Sequence, residues 1–441
     1  MSPQPSRPRV LVIAEAANPE WVSVPLVGWC LAEALTRVAD VHLVTQVRNR
    51  EAILATGWRE GREFTCIDSE AVARPVYAVR EAVRRITGAG WTAATAVASL
   101  TYPYFEHLLW RRFEPALRAG AFDLVHRVTP LSPTTPSIIA ARLKRLGVPF
   151  LWGPINGGVP WPDAFGHVQR QEGEWLSSVR GLHRLLPGAR ATRRDAAAIL
   201  VGSRDTWGQL AGHHDRCVYL PENAVDPARF RARADQAGPP PLRLAFVGRL
   251  VPYKGCDLVL DAAAGLLRSG QATLDIIGDG PERARLEAKV AALGVGGAVR
   301  LEGWVAHTAM AERLARSQVL AFPSIREFGG GVVLEAMASG LVPVVVDYAG
   351  PAEHVTPATG FRVPLGSPAE ITARLRVVLE GLVADPAARA GLAARGLERV
   401  AALYTWDARA AQVRKVYDWV LAGGAPADRP DFGMPLGAPR S

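Results

Sequence analysis

A chain of 441 residues with 49% hydrophobic and 21% charged residues is long enough for two hydrophobic cores and too apolar to be disordered. Its formal charge of +9 is spread along the chain without a long basic run, which argues against a nucleic-acid partner and fits anionic small molecules or an anionic membrane face. Cys30, Cys66, Cys217 and Cys256 form no C-x-x-C pair, and no apolar run approaches the roughly 18 residues of a membrane span, so a zinc site, a disulfide framework and a transmembrane helix are not expected.

In chain order, the first half offers the strand-like runs RVLVIAEA (9–16), DVHLVTQV (40–47), FDLVHRV (122–128), VPFLWGP (148–154) and AAILVGS (197–203), with helical patterns between them. The first run is stopped by Glu15, too short for the apolar core of a secretion signal, and a cytoplasmic protein is expected. Between Arg74 and Glu114, Tyr77, Trp91, Tyr102, Tyr104, Phe105, Trp110 and Phe113 alternate with arginines. Val76, Val79, Val83 and Ile86 predict an apolar helix face with Arg80, Arg84 and Arg85 off it; such a helix either covers the domain or rests peripherally on the anionic inner face of the cell membrane. His126 falls at the predicted end of a strand, where it is either a satisfied core histidine or a ligand contact. WGPINGGVPWP (152–162), with Asn156, Gly157 and Gly158, also follows a strand and is either a glycine-rich bend or a lining of a site. His213, His214 and Asp215 have no further ligands beside them, and no Asp-x-Asp occurs, so no metal is implied.

A polar stretch with three prolines, RARADQAGPPPLRL (231–244), interrupts the pattern and predicts a seam. Beyond it, LRLAFVG (242–248), ATLDIIG (272–278), AVRLEGW (298–304), VLAFPS (319–324) and LVPVVVD (341–347) alternate with helical segments. This is βαβ repetition, so an α/β fold of two Rossmann-like domains with parallel sheets is predicted. Ligands of such sheets bind beyond the carboxyl ends of the strands, and two sheets facing one another would make a central cleft.

Three segments follow strands in the second half. VGRLVPYKG (247–255) brings Arg249 and Lys254 to a strand end, one a fork donor and the other a point charge, both suited to a diphosphate; the bland reading is two surface cations. IIGDGP (276–281) carries Gly278 and Gly280 in either a tight turn or a ligand contact. REFGGGVVLEAMASG (326–340) opens a helix on bare glycine backbone, where unpaired N–H groups and the helix dipole favour an anion. Glu335, one turn into that helix among apolar neighbours, needs donors, and vicinal ribose hydroxyls would supply two. Together the set suits a sugar nucleotide, with phosphates on Arg249, Lys254 and backbone N–H groups, ribose on Glu335 and the sugar near Glu327.

In order and spacing VGRL…KG, IIGDGP, EGWV, VLAFPS, the paired glutamates, EAMASG and the segment ending at Glu353 resemble the nucleotide-sugar domain of retaining glycosyltransferases of family 4. The resemblance covers roughly residues 220–420 and implies the GT-B fold: an acceptor-side domain over residues 1–230, a nucleotide-sugar domain over 231–403, a closing helix over 404–422 that packs back on the first domain, and a flexible tail over 423–441. It implies Arg249, Lys254, Glu327 and His126 as catalytic residues, Gly248, Gly278, Gly330, Gly331, Val332 and Glu335 as donor-binding residues, and Asn156, Gly157 and Gly158 on the acceptor side. The activity implied is transfer of a hexose-type sugar, without metal or cofactor, from a nucleotide-diphosphate sugar to a hydroxyl of a glycan, lipid-linked or small-molecule acceptor. A nucleotide-sugar epimerase, a sugar-phosphate synthase and a non-catalytic sugar-nucleotide binding protein are the alternatives. Two departures stand out: the family's Glu-Gly-Phe-Gly is here Glu327-Phe328-Gly329-Gly330, and the segment after the first strand has only Gly28 where the family often has a glycine pair.

Overall fold

Among the described residues, thirteen parallel strands in two sheets alternate with helices. The computed structural model describes residues 7–76, 91–157, 159–166, 188–232 and 235–434. It divides into two units, one of Met1–Pro160, Gln169–Glu222 and Trp406–Ser441, the other of Trp161–Val168 and Asn223–Thr405.

The first unit holds a seven-stranded sheet in the order β3-β2-β1-β4-β5-β6-β7. Its strands are β1 (Arg9–Ala14), β2 (Asp40–Gln46), β3 (Phe64–Ile67), β4 (Leu124–Thr129), β5 (Phe150–Ile155), β6 (Ala198–Val201) and β7 (Cys217–Tyr219). The second unit holds a six-stranded sheet in the order β10-β9-β8-β11-β12-β13. These are β8 (Leu242–Val247), β9 (Ala272–Ile277), β10 (Val299–Gly303), β11 (Val319–Phe322), β12 (Val342–Val346) and β13 (Phe361–Val363). Every pairing between these strands is parallel; Leu244 of β8, for example, lies opposite Leu274 of β9 on one side and Val319 of β11 on the other. Strand order reverses between β1 and β4 in one sheet and between β8 and β11 in the other, and such a switch point opens a crevice at the carboxyl ends.

The central strands are buried on both faces, as their continuous Val, Leu and Ile runs dictate. In the first unit the helix Trp91–Arg118 puts Tyr102, Phe105, Trp110 and Phe113 into the core with Val125, Phe150 and Trp152, while Arg111 and Arg112 stay exposed. The aromatic residues among these thus go to packing. Tyr77, Val79, Arg80, Val83, Arg84, Arg85 and Ile86 lie outside the described residues. In the second unit the helix Cys256–Arg268 buries Leu258, Val259, Leu260, Ala262, Ala263, Leu266 and Leu267. Truncating one such leucine costs about 2–5 kcal/mol. Ser367 and Glu370 form a reciprocal capping box that starts the helix Pro368–Ala384, and the Asp385 carboxylate accepts from the Ala388 N–H to start Pro386–Leu403.

The helix Trp406–Leu421 belongs to the first unit, where it packs on Val24–Leu35. The segment beyond it was expected to be a flexible tail, yet residues 423–434 are held by single contacts that leave no periodicity in sequence. Trp419 Nε1 donates to the Ala425 carbonyl at 2.8 Å, Arg429 donates to the His214 carbonyl, and Met434 is buried. Residues 435–441 lie outside the described residues. No helix among the described residues is long and apolar enough to cross a membrane.

Candidate active site

At the carboxyl edge of the second unit's sheet, the first loop after β8 ends in the single helical turn Pro252–Lys254, closed by Gly255 in the left-handed conformation at φ 71°. A Cβ on Gly255 would stand 2.9 Å from the Pro323 carbonyl oxygen, so glycine is required for both reasons. This turn lays the Lys254 side chain over the Phe322 ring at 5.1 Å and beside that of Tyr253 at 5.9 Å, and its ammonium pairs with Glu327 Oε2. Lys254 and Glu327 are 12% and 25% exposed, half-sheltered enough for the pair to matter and open enough for a ligand to reach it. Arg249 is exposed, and its guanidinium has no partner among the described residues.

Gly278 and Gly280 serve packing. A Cβ on Gly278 would meet the Gly248 carbonyl oxygen at 1.9 Å, and one on Gly280 the Leu250 carbonyl oxygen at 2.4 Å. The two glycines let the loop after β9 lie on the backbone of the loop that carries Arg249.

The helix Gly331–Ala338 starts on Gly330 in the left-handed conformation at φ 61°, without a side-chain cap. Val333 N–H donates to the Gly330 carbonyl at 2.9 Å, whereas the Gly331 and Val332 N–H groups have no acceptor among the described residues. Those two donors stand at the positive end of the helix, ready for an anion. The loop before them is pinned: His354 Nε2 donates to the Gly329 carbonyl at 2.7 Å, and Gly350 passes so close that a Cβ would stand 2.0 Å from the Phe328 carbonyl oxygen. The transposed aromatic, Phe328, has its ring 5.6 Å from the Arg326 guanidinium, which lies 4.7 Å from the ring of Trp161.

Glu335, expected to need donors, finds one within the protein: His307 Nε2 donates to its Oε1 at 3.0 Å. The two side chains are 20% and 28% exposed, so the helix turns this carboxylate outward from its apolar neighbours. His307 stands three residues after Trp304, which is 75% exposed at the end of β10. Neither the histidine nor the pairing of Lys254 with Glu327 was anticipated from sequence.

In the first unit His126 is not at a strand end. β4 runs on to Thr129, and His126 lies opposite Val12 in the middle of the sheet, fully buried. Its Nε2 donates to the Gly153 carbonyl at 2.7 Å, and its Nδ1 accepts from the Tyr417 hydroxyl at 2.7 Å. Burial pushes the imidazole down to about 4, so it is neutral. With both nitrogens satisfied inside the unit, His126 is a core histidine, and the expectation of a catalytic sugar contact is corrected. Asn156 is buried and donates Nδ2 to both Glu222 oxygens, at 2.9 and 3.0 Å; Gly157 N–H donates to Thr206 Oγ1 at 3.2 Å. Gly158 lies outside the described residues. His213 Nδ1 accepts from Arg216, and His214 Nε2 donates to the Trp207 carbonyl. No group of three potential metal ligands occurs among the described residues.

The family model described as glycosyl transferases group 1 matches residues 231–395, which hold Arg249, Lys254, Gly278, His307, Glu327, Gly331 and Glu335. The D-inositol 3-phosphate glycosyltransferase of Frankia alni is 30% identical over 338 residues, 72% of this chain and 79% of that protein. The chain belongs to the glycosyl transferases group 1 family. A further relative of this glycosyltransferase, the GDP-mannose-dependent alpha-mannosyltransferase of Mycobacterium tuberculosis, is 32% identical over 263 residues; that match covers 57% of the chain and 62% of the relative, a little under two thirds of its length. Among solved structures, the sucrose-phosphate synthase (tll1590) from Thermosynechococcus elongatus superposes with a TM-score of 0.61 at 20% identity, covering 94% of this chain and 100% of that one. The glycosyltransferase thus has two Rossmann-like units of the GT-B fold, and the family-model match falls within the unit that carries Arg249, Lys254, Glu327 and Glu335.

Proposed function

We propose that this glycosyltransferase moves a hexose-type sugar from a nucleotide-diphosphate sugar to an acceptor hydroxyl with retention of anomeric configuration and without a metal. The observation that carries the reading is the convergence at one switch point of Arg249, Lys254, the Gly331 and Val332 N–H groups, Glu327 and Glu335. The diphosphate would lie against the helix start and the two cations, the ribose diol on Glu335 and the sugar beside Glu327. Breaking the bond to the sugar leaves negative charge on the diphosphate. Arg249, Lys254 and the two backbone donors would stabilise that charge without a metal, and one well-placed donor is worth about 3 kcal/mol in such a role.

Pairing with Glu327 holds the Lys254 ammonium in place before a donor arrives, so little reorganisation would be needed. Gly248 would let the phosphates approach the backbone. Residues Asn156 and Gly157 would shape the acceptor side through the loop they brace, and the acceptor is proposed to be a glycan, a lipid-linked sugar or a small polyol. The relatives named for GDP-mannose and D-inositol 3-phosphate support a nucleotide-sugar donor and a hydroxyl acceptor as classes. Incubation with a panel of nucleotide sugars tests the reading. It predicts release of nucleoside diphosphate that rises on addition of acceptor and persists in EDTA, with the product's anomeric proton coupling matching the donor's. Release that is abolished by EDTA, or product of inverted configuration, would contradict it.

A further inference from the structure

We propose that His307 and Arg229 are positioning residues for Glu335, fixing its carboxylate with one oxygen turned to the vicinal diol of the donor's ribose. The inference rests on the reading of Glu335 as the ribose contact and adds how that contact is prepared.

Donor chemistry fixes the direction of the relay. Arg229 Nη2 lies 3.0 Å from the His307 carbonyl oxygen and 3.2 Å from His307 Nδ1. A guanidinium can only donate, so Nδ1 is the acceptor and carries no proton. The ring proton is therefore on Nε2, which donates to Glu335 Oε1 at 3.0 Å. Glu335 Oε2 has no partner among the described residues, which leaves it to accept from a ligand hydroxyl.

The relay is braced at its far end. Arg229 and Phe230 N–H groups donate to the Asp226 carbonyl at 3.1 and 3.2 Å, closing a turn. Phe230 is buried, with its ring 5.5 Å from the Arg229 guanidinium and 6.3 Å from the His307 imidazole. A histidine and a carboxylate that are 28% and 20% exposed gain little stability from pairing, so three side chains in series do more for orientation than for folding. Without them Glu335 would be a free rotor that must be immobilised on binding, a loss of roughly three- to tenfold in affinity.

The test is calorimetric titration of the full chain with GDP and UDP, each beside its 2′,3′-dideoxy form. The wild type is expected to prefer the ribonucleotide, and Glu335→Ala to erase that preference. His307→Leu should weaken the ribonucleotide roughly three- to tenfold and leave the dideoxy form unchanged. His307→Gln, whose amide offers a donor to Glu335 and an acceptor to Arg229, should restore the preference. Arg229→Met should lose part of it, and carries the same test if His307→Leu does not fold. If Glu335→Ala abolishes the preference while His307→Leu and Arg229→Met keep it, or if His307→Leu weakens both forms equally, the positioning role is overturned and the ribose reading stands. If the wild type shows no preference, or Glu335→Ala retains it, the ribose reading itself fails.

Discussion

The two units share a strand order and differ in what they do with polar groups at the sheet. In the first, His126, Arg127, Glu106, Asn156 and Glu222 are all buried and bonded within the unit, to backbone or to neighbouring side chains. In the second, Arg249 is exposed, Lys254, Glu327, Glu335 and His307 are half-sheltered, and two helix N–H groups stand open. One topology thus supports two uses of charge: buried groups bonded within the unit specify the core, while partly exposed groups with spare capacity can meet a ligand.

Substitutions should divide along the same line. Lys254→Ala is expected to have the largest effect, lowering kcat/KM with donor roughly a hundredfold to a thousandfold while leaving the melting temperature nearly unchanged. Steady-state kinetics beside a thermal melt would check both halves. Glu106→Ala should do the reverse. Its carboxylate accepts from the Tyr102 and Ser137 hydroxyls and from the Ile138 N–H at 2.6 Å, and the truncation would strand those donors at a cost of about 3 kcal/mol. Denaturant unfolding would show the loss, with donor affinity of the folded fraction preserved.

His126 offers a pH version of the comparison. Burial lowers the folded imidazole to about 4 from an unfolded value near 6.5. The fold therefore favours the neutral ring, and its stability contribution is full above pH ~6.5 and lost as pH falls toward 4. The slope is about 1.4 kcal/mol per pH unit and the total about 3 kcal/mol. His126→Gln, which keeps a donor for Gly153 and an acceptor for Tyr417, should remove that slope. The smallest effect expected is that of EDTA on turnover, which should be nil in kinetics run with and without the chelator.

How much was legible in the sequence follows from the range of the forces involved. Strands with long apolar runs declared themselves, whereas β3, β7 and β13 did not: they have four, three and three residues, sit at sheet edges and are too short to leave a pattern. Lys254 and Glu335 were legible as a cation at a strand end and a carboxylate one turn into a glycine-opened helix. Their partners were not, because Glu327 is 73 positions from Lys254 and His307 is 28 from Glu335, and only the tertiary fold joins them. His126 misled because FDLVHRV looks complete at Val128, when Thr129 extends the strand and the backbone of Gly153 closes over the ring. In sequence Gly278 and Gly280 fit a turn or a ligand contact; only the crossing backbone of Gly248 and Leu250 explains why no side chain fits there.

The central claim is that the open groups of the second unit bind the donor's diphosphate. Amide hydrogen exchange on the full chain, with and without saturating GDP or UDP, tests it most directly. The account predicts slowed exchange at Gly331 and Val332 and across residues 248–254, with β4 unchanged. Unaltered exchange at the start of the helix Gly331–Ala338 on nucleotide binding would contradict it.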